Sequence, residues 1–352
     1  MATLTPASPH GRAVAWWLVI CAAMVFAMVM LGGATRLTES GLSMVEWKPL
    51  TVTPPLTEEQ WLTEFQNYQQ SPQFQKKNSW MTVDDFKGIF WLEYLHRLWG
   101  RLIGIVFAVP FLWFLYKRAV DRALAWKLAG LFVLGGAQGA LGWFMVASGL
   151  QDRPEVSQYR LAAHLFAALI LYGLLIWVAL DRFRTLQSDA PQQHDQTLAR
   201  LALGIAGAVL LVAVSGAFVA GLDAGLIYNT FPLMEGQLIP DGLFALNPWH
   251  ANLFENVMTV QFNHRVLAVA LVILIVGAWL HARRLALRAP ARLMMHAVLA
   301  MAFVQAVLGI STLLLVVPLP LALAHQTGAL TLFTFALCLA HSLRRGPAAS
   351  HV

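Results

Sequence analysis

Charge is what this sequence has least of. Only 12% of its 352 residues are Asp, Glu, Lys or Arg, against 58% hydrophobic residues and a mean hydropathy of +0.62. Such values exclude a soluble domain as the bulk of the chain. Cysteine is nearly absent as well. Cys21 and Cys338 both fall in apolar runs, so the aqueous loops hold neither a disulfide nor a thiolate metal site. Lys and Arg are missing altogether from Gly221 to Val257. The N-terminus, MATLTPASPHGR, is too short and too weakly basic for a transit peptide, and no small-residue cleavage site follows the first apolar run. The first run is therefore expected to be retained, and a bacterial host is favoured over a mitochondrial one.

What the chain does have is apolar length. Runs at 13–33, 89–116, 124–147, 160–180, 198–220, 258–280, 293–317 and 320–342 can each cross about 30 Å of hydrocarbon as a helix. The expectation is an all-α integral membrane protein with eight transmembrane helices. Fourteen Lys and Arg lie on the side shared with both termini, and seven on the opposite side. By the positive-inside rule both termini are cytoplasmic. The pI near 9.6 is mostly this asymmetry, which gives no reason to invoke nucleic acid.

Comparing the chain with itself exposes a repeat. LEYLHRLWG around His96 matches VQFNHRVLA around His264 at an offset of 168, and AQGALG at 137–142 matches VQAVLG at 304–309 at 167. RLAAHLFAAL around His164 matches LALAHQTGAL around His325 at 161, and LGGATRLTESGLS at 31–43 more loosely matches VSGAFVAGLDAGL at 214–226. The expected organisation is two four-helix units, 1–190 and 191–352, seamed by the polar stretch 185–197. Four spans per unit send both copies into the membrane in the same direction, which speaks against an inverted-repeat transporter.

The repeats align four of the eleven histidines. His10, His194, His281, His296, His341 and His351 lie at cytoplasmic ends, loops or tails, and His250 in an outer loop. By contrast His96, His164, His264 and His325 sit five to seven residues inside their runs from the outer side, within one helical turn of a common depth. A lone histidine on an apolar helix is more often a hydrogen-bonded core residue. Four at equivalent places are better explained as two imidazole pairs, and with no nearby Cys or second carboxylate they suit bis-histidine haem better than zinc or di-iron. Gly135 and Gly139, four apart, let helices approach closely, for which plain packing is a sufficient reason. Arg97 and Arg265 follow the ligand candidates and can pair with haem propionates or snorkel to headgroups.

The copies differ at one ionisable position. Glu93 lies three residues before His96 on the same helix face, and its counterpart before His264 is Gln261. The amide keeps the shape and loses the proton carrier. That contrast implies a division of labour between a site for proton-coupled chemistry and a site that holds a haem. The plainer alternative is that Glu93 only pairs with Arg97 or an outer-loop lysine.

Taken together, GGATRLTESGLS, EYLHRLWGR, QGALGW, NTFPLM at 229–234 and QFNHR resemble the haem A synthase family over essentially all eight spans. The first outer loop, with EEQWLTEFQNYQQSPQFQKKN, is similar to the proteobacterial and mitochondrial branch; the cysteine pair typical of the other branch is absent. In that loop Thr57 and Gln60 form a capping box, with Trp61, Phe65 and Tyr68 on one face of a short helix, and segment 34–88 is expected to act as a lid. The resemblance implies oxidation of the C8 methyl group of haem O to the formyl group of haem A, for haem-copper terminal oxidases. It implies that His96 and His164 belong to the substrate haem site, that His264 and His325 ligate a resident haem b, and that Glu93 is catalytic. On that reading the methyl carbon is oxidised twice, to a geminal diol that loses water.

Partners admitted by the same reading are haem O, a membrane electron donor such as a quinol or a ferredoxin-like protein, haem O synthase, a second copy of the chain and the lipid bilayer. The expected location is the bacterial inner membrane, with the haem sites toward the periplasm. A di-haem b, quinol-linked electron-transfer cytochrome is the alternative, and it leaves the Glu93 and Gln261 contrast without a purpose. A haem transporter or chaperone needs a path to the cytoplasmic side, against which the common outer depth of the histidines argues.

Overall fold

A computed structural model describes residues 9–46, 53–149, 156–184 and 195–344. Among the described residues ten α-helices follow one another: α1 Pro9–Leu37, α2 Glu58–Gln69, α3 Val83–Tyr116, α4 Arg122–Gly149, α5 Gln158–Arg184, α6 Gln196–Gly221, α7 Asn252–Glu255, α8 Val257–Ala282, α9 Ala289–Leu314 and α10 Leu319–Ser342. All except α2 and α7 are long and apolar enough to cross a membrane, which makes eight candidate spans. Among the described residues there is no strand, only one isolated bridge between Met234 and Gln237. The protein is therefore all-α and multi-pass. Of the seam expected at 185–197, only the residues from Asp195 onward are among those described.

Local chemistry sets the helix ends. Asp195 caps α6 by accepting from Leu198 N at 2.6 Å, and Asn256 caps α8 by accepting from Met258 N and Thr259 N. Early prolines open α9 and α10, where a missing N–H costs nothing. Two ends differ from the apolar runs. Helix α9 stops at Leu314 rather than 317, because Val316 and Val317 take positive φ values of 60° and 56° in the turn before Pro318. Helix α3 begins six residues before 89, at a capping box in which Thr82 and Asp85 satisfy each other's backbone N–H. Its 34 residues extend about 51 Å at 1.5 Å each, so its first turns stand clear of a 30 Å hydrocarbon layer.

The two halves pack in the same cyclic order. Helix α1 lies against α3 and α5 with α4 closing the ring, and α6 lies against α8 and α10 with α9 closing the ring. The halves meet where α1 and α5 face α6 and α10. There Gln326 donates to the Val29 carbonyl at 2.7 Å, and the Tyr172 and Thr334 hydroxyls share a 2.6 Å hydrogen bond. Matching turns follow α1 and α6: Glu39 and Asp223 are left-handed, with φ of 53° and 51°, and each precedes a 3-10 turn, Ser40–Leu42 or Ala224–Leu226. These residues are 184 apart, one more than the offset of the sequence match over this segment.

Candidate functional site

Each of the four histidines packs against a glycine on a neighbouring helix. A Cβ on Gly32 of α1 would lie 3.5 Å from His96 Nε2 of α3, and one on Gly142 of α4 would lie 3.0 Å from His164 Cε1 of α5. In the second half, a Cβ on Gly216 of α6 would lie 3.2 Å from His264 Cε1 of α8, and one on Gly309 of α9 only 2.7 Å from His325 Cε1 of α10. The missing side chains make room for the rings. Gly135 and Gly139, singled out by their spacing, do no such thing: nothing lies within 4 Å of a Cβ on Gly139, and only Leu171 near one on Gly135. The signal that finds the right glycines is the repeat itself, since Gln138 and Gly142 in AQGALG recur as Gln305 and Gly309 in VQAVLG.

Those glutamines hold the same histidines. Gln138 Nε2 donates to the His164 carbonyl at 2.8 Å and lies 3.0 Å from its Nδ1; Gln305 Nε2 makes the same two contacts to His325, at 2.8 and 3.0 Å. His264 Nδ1 lies 2.7 Å from Ser215 Oγ. The centroids of the His264 and His325 rings are 6.5 Å apart, with the ring planes at 85°. Metal–nitrogen bonds of about 2 Å, with roughly 1.1 Å more from nitrogen to ring centre, place two opposed axial imidazoles about 6 Å apart. The spacing of the C-terminal rings is compatible with one metal ion between them. Among the described residues no group of three or more His, Cys, Asp or Glu forms a protein-only metal cage. Two imidazoles alone suit an ion whose other ligands come from a macrocycle.

Around Glu93 the two halves share a plan and differ in polarity. Glu93, 2% exposed, accepts from Ser43 Oγ at 2.7 Å and Met44 N at 2.8 Å through Oε2, and from Arg97 at 2.5 Å through Oε1. Gln261, equally buried, donates through Nε2 to the carbonyls of Ala224 and Ile227, both at 2.6 Å, and accepts from Arg265 at 2.7 Å through Oε1. Each arginine also reaches the loop after the first helix of its half: Arg97 donates to the Met44 carbonyl at 2.9 Å, and Arg265 to that of Tyr228 at 2.6 Å. Arg265 further donates to the Thr230 carbonyl at 2.8 Å, in the NTFPLM segment. Asn229 of that segment donates to the carbonyls of Gly225 and Leu313, tying the loop to the end of α9. Both guanidinium groups are therefore engaged with loop backbone, a partner that the sequence reading did not consider.

Helix α2 lies on the start of α3. Its capping box between Thr57 and Gln60 is formed as expected. Trp61 meets Phe90 edge-on at 5.0 Å, Phe65 meets Phe86 at 5.4 Å, and Tyr68 stacks on Phe86 at 5.1 Å. Burial pushes the Tyr68 phenol above its usual pKa, an effect that Asn78, donating to the phenol oxygen at 2.7 Å, partly offsets. Gln73 donates to the Glu39 carbonyl at 2.7 Å and Lys77 pairs with the Glu39 carboxylate at 3.3 Å, so the loop is fastened to the left-handed turn after α1.

Comparison with known proteins agrees with this architecture. The profile of the COX15-CtaA family, described as cytochrome oxidase assembly proteins, matches residues 15–337. A protein of Nitrosospira multiformis named "Heme A synthase" is 52% identical over 335 residues, covering 95% of this chain and 94% of its own. One of Parvibaculum lavamentivorans with the same name is 52% identical over 343 residues, covering 97% and 96%. The human protein "Heme A synthase COX15" is 47% identical over 352 residues, covering 97% of this chain and 85% of its own. The chain belongs to the COX15-CtaA family of cytochrome oxidase assembly proteins.

Proposed function

We propose that this protein is an oxidoreductase of the membrane that converts haem O into haem A, oxidising the C8 methyl group to a formyl group. The observation that carries the reading is identity near 50%, over almost the whole chain, with proteins named for haem A synthesis. Within that activity the halves divide the work. His96 and His164 receive haem O as substrate, and His264 and His325 hold a resident haem b. A haem bound at the second pair supplies a one-electron couple. Its support is the 6.5 Å separation of the two rings, which matches an iron held between them.

Glu93 belongs to the chemistry of the first half. Its carboxylate lies on the same helix face as His96, buried, and its counterpart in the other half cannot ionise. Oxidation of a methyl group releases protons, and a buried carboxylate beside the reacting haem is placed to take one up. Arg97 and Arg265 hold the loops rather than the bilayer surface, and α2 with the described part of segment 34–88 covers the first site; residues 47–52 of that segment lie outside the described residues. Lys and Arg distribution supports cytoplasmic termini, with the histidines toward the opposite, periplasmic face of the inner membrane in which the protein is placed by this proposal.

The test is extraction and chromatography of haems from cells that make haem O and express this chain. New haem A is the expected product. Unaltered haem O, with only haem b on the purified protein, would replace the proposal with an electron-transfer cytochrome.

A further inference from the structure

The hydrogen bond between Ser215 and His264 fixes more than a distance. Ser215 Oγ lies 2.8 Å from the Val212 carbonyl and 2.7 Å from His264 Nδ1. A hydroxyl has one proton, and a carbonyl can only accept. The proton therefore goes to Val212, and the serine oxygen must accept from Nδ1–H. A neutral imidazole protonated at Nδ1 presents its lone pair at Nε2.

We infer that Ser215 is a positioning residue for the resident haem: it holds His264 in the Nδ1–H tautomer, which leaves the Nε2 lone pair available to a metal. This rests on the reading that His264 and His325 hold that haem. The first half has no counterpart. By the structural offset of 184, Ser215 corresponds to Leu31, and by the sequence offset of 183 to Gly32; neither carries a polar side chain. His96 thus packs on Gly32 without an anchor of the kind that holds His264. A fixed ligand in the half that keeps its haem, and a less constrained one in the half that must admit and release a substrate, is the arrangement the division of labour needs.

An acceptor at Nδ1 makes the imidazole a stronger electron donor and so favours oxidised iron. The experiment is potentiometric titration of the full-length protein, purified from cells that make haem b and not haem O, as parent, Ser215→Ala and Ser215→Thr. Ser215→Ala removes the acceptor from Nδ1–H and is expected to raise the midpoint potential. Ser215→Thr keeps the hydroxyl and is expected to restore it. A parental potential in Ser215→Ala overturns the inference. If Ser215→Ala retains no haem, Ser215→Thr decides: haem at the parental potential supports the hydroxyl's role, and loss there too overturns it. His264→Ala is the separate control. An unchanged haem spectrum in that variant overturns the resident-site reading itself.

Discussion

Two side chains of nearly the same shape, Glu93 and Gln261, meet loops of opposite polarity. The carboxylate faces a hydroxyl and an N–H; the amide turns its NH2 to two carbonyls. In Glu93→Gln the new NH2 opposes either those donors or the Arg97 guanidinium, besides the loss of the proton carrier. We expect this variant to keep bound haem b, to accumulate haem O or a hydroxylated intermediate, and to make haem A about 10²-fold or more slowly. Chromatography of extracted haems checks it, and haem A at the parental rate would remove Glu93 from the chemistry. Gly309→Ala would set a Cβ 2.7 Å from the His325 ring, and is expected to lower bound haem b in the purified protein, read from its reduced-minus-oxidised spectrum. At this scale the histidines were legible because polar groups stand out in apolar runs. Gly142 and Gly309 were legible only through the repeat, and Ser215 was hidden because it has no polar counterpart in the other copy and its contact with His264 spans 49 residues.

Among the elements, α2 and the start of α3 show what hydropathy alone reveals and conceals. The capping box of α2 was readable because its partners, Thr57 and Gln60, are three residues apart. The box at Thr82 and Asp85 is equally local, yet an apolar run began only at 89, since Asp84, Asp85 and Lys87 are charged. What hydropathy cannot supply is the reason for the extra turns: they present Phe86 and Phe90 to Trp61, Phe65 and Tyr68. Phe86 is fully buried in that cluster. Phe86→Ala is expected to cost about 3–5 kcal/mol of local stability. Hydrogen exchange should then quicken across α2 while α8 and α9 keep parental protection. Unchanged exchange in α2 would mean that the aromatic cluster does not hold it down. The turn at Val316 and Val317 was not readable at all, because β-branched residues seldom take positive φ.

At the scale of the whole molecule, the halves touch close to both histidine pairs. Gln326 follows His325 and donates to Val29 on α1, one helical turn from Gly32, on which His96 packs. The repeat was visible in the sequence as four matched segments; how the copies meet was not, since no residue pattern within one copy specifies which helices of the other it will face. The central claim is that one half holds a haem and the other transforms one. It is tested most directly by comparing His264→Ala and His96→Ala for haem b bound to the purified protein and haem A formed in the cell. The account predicts that His264→Ala removes most of the bound haem b, whereas His96→Ala retains it and abolishes haem A. If His96→Ala lost the haem b and His264→Ala kept it, the division of labour would be contradicted.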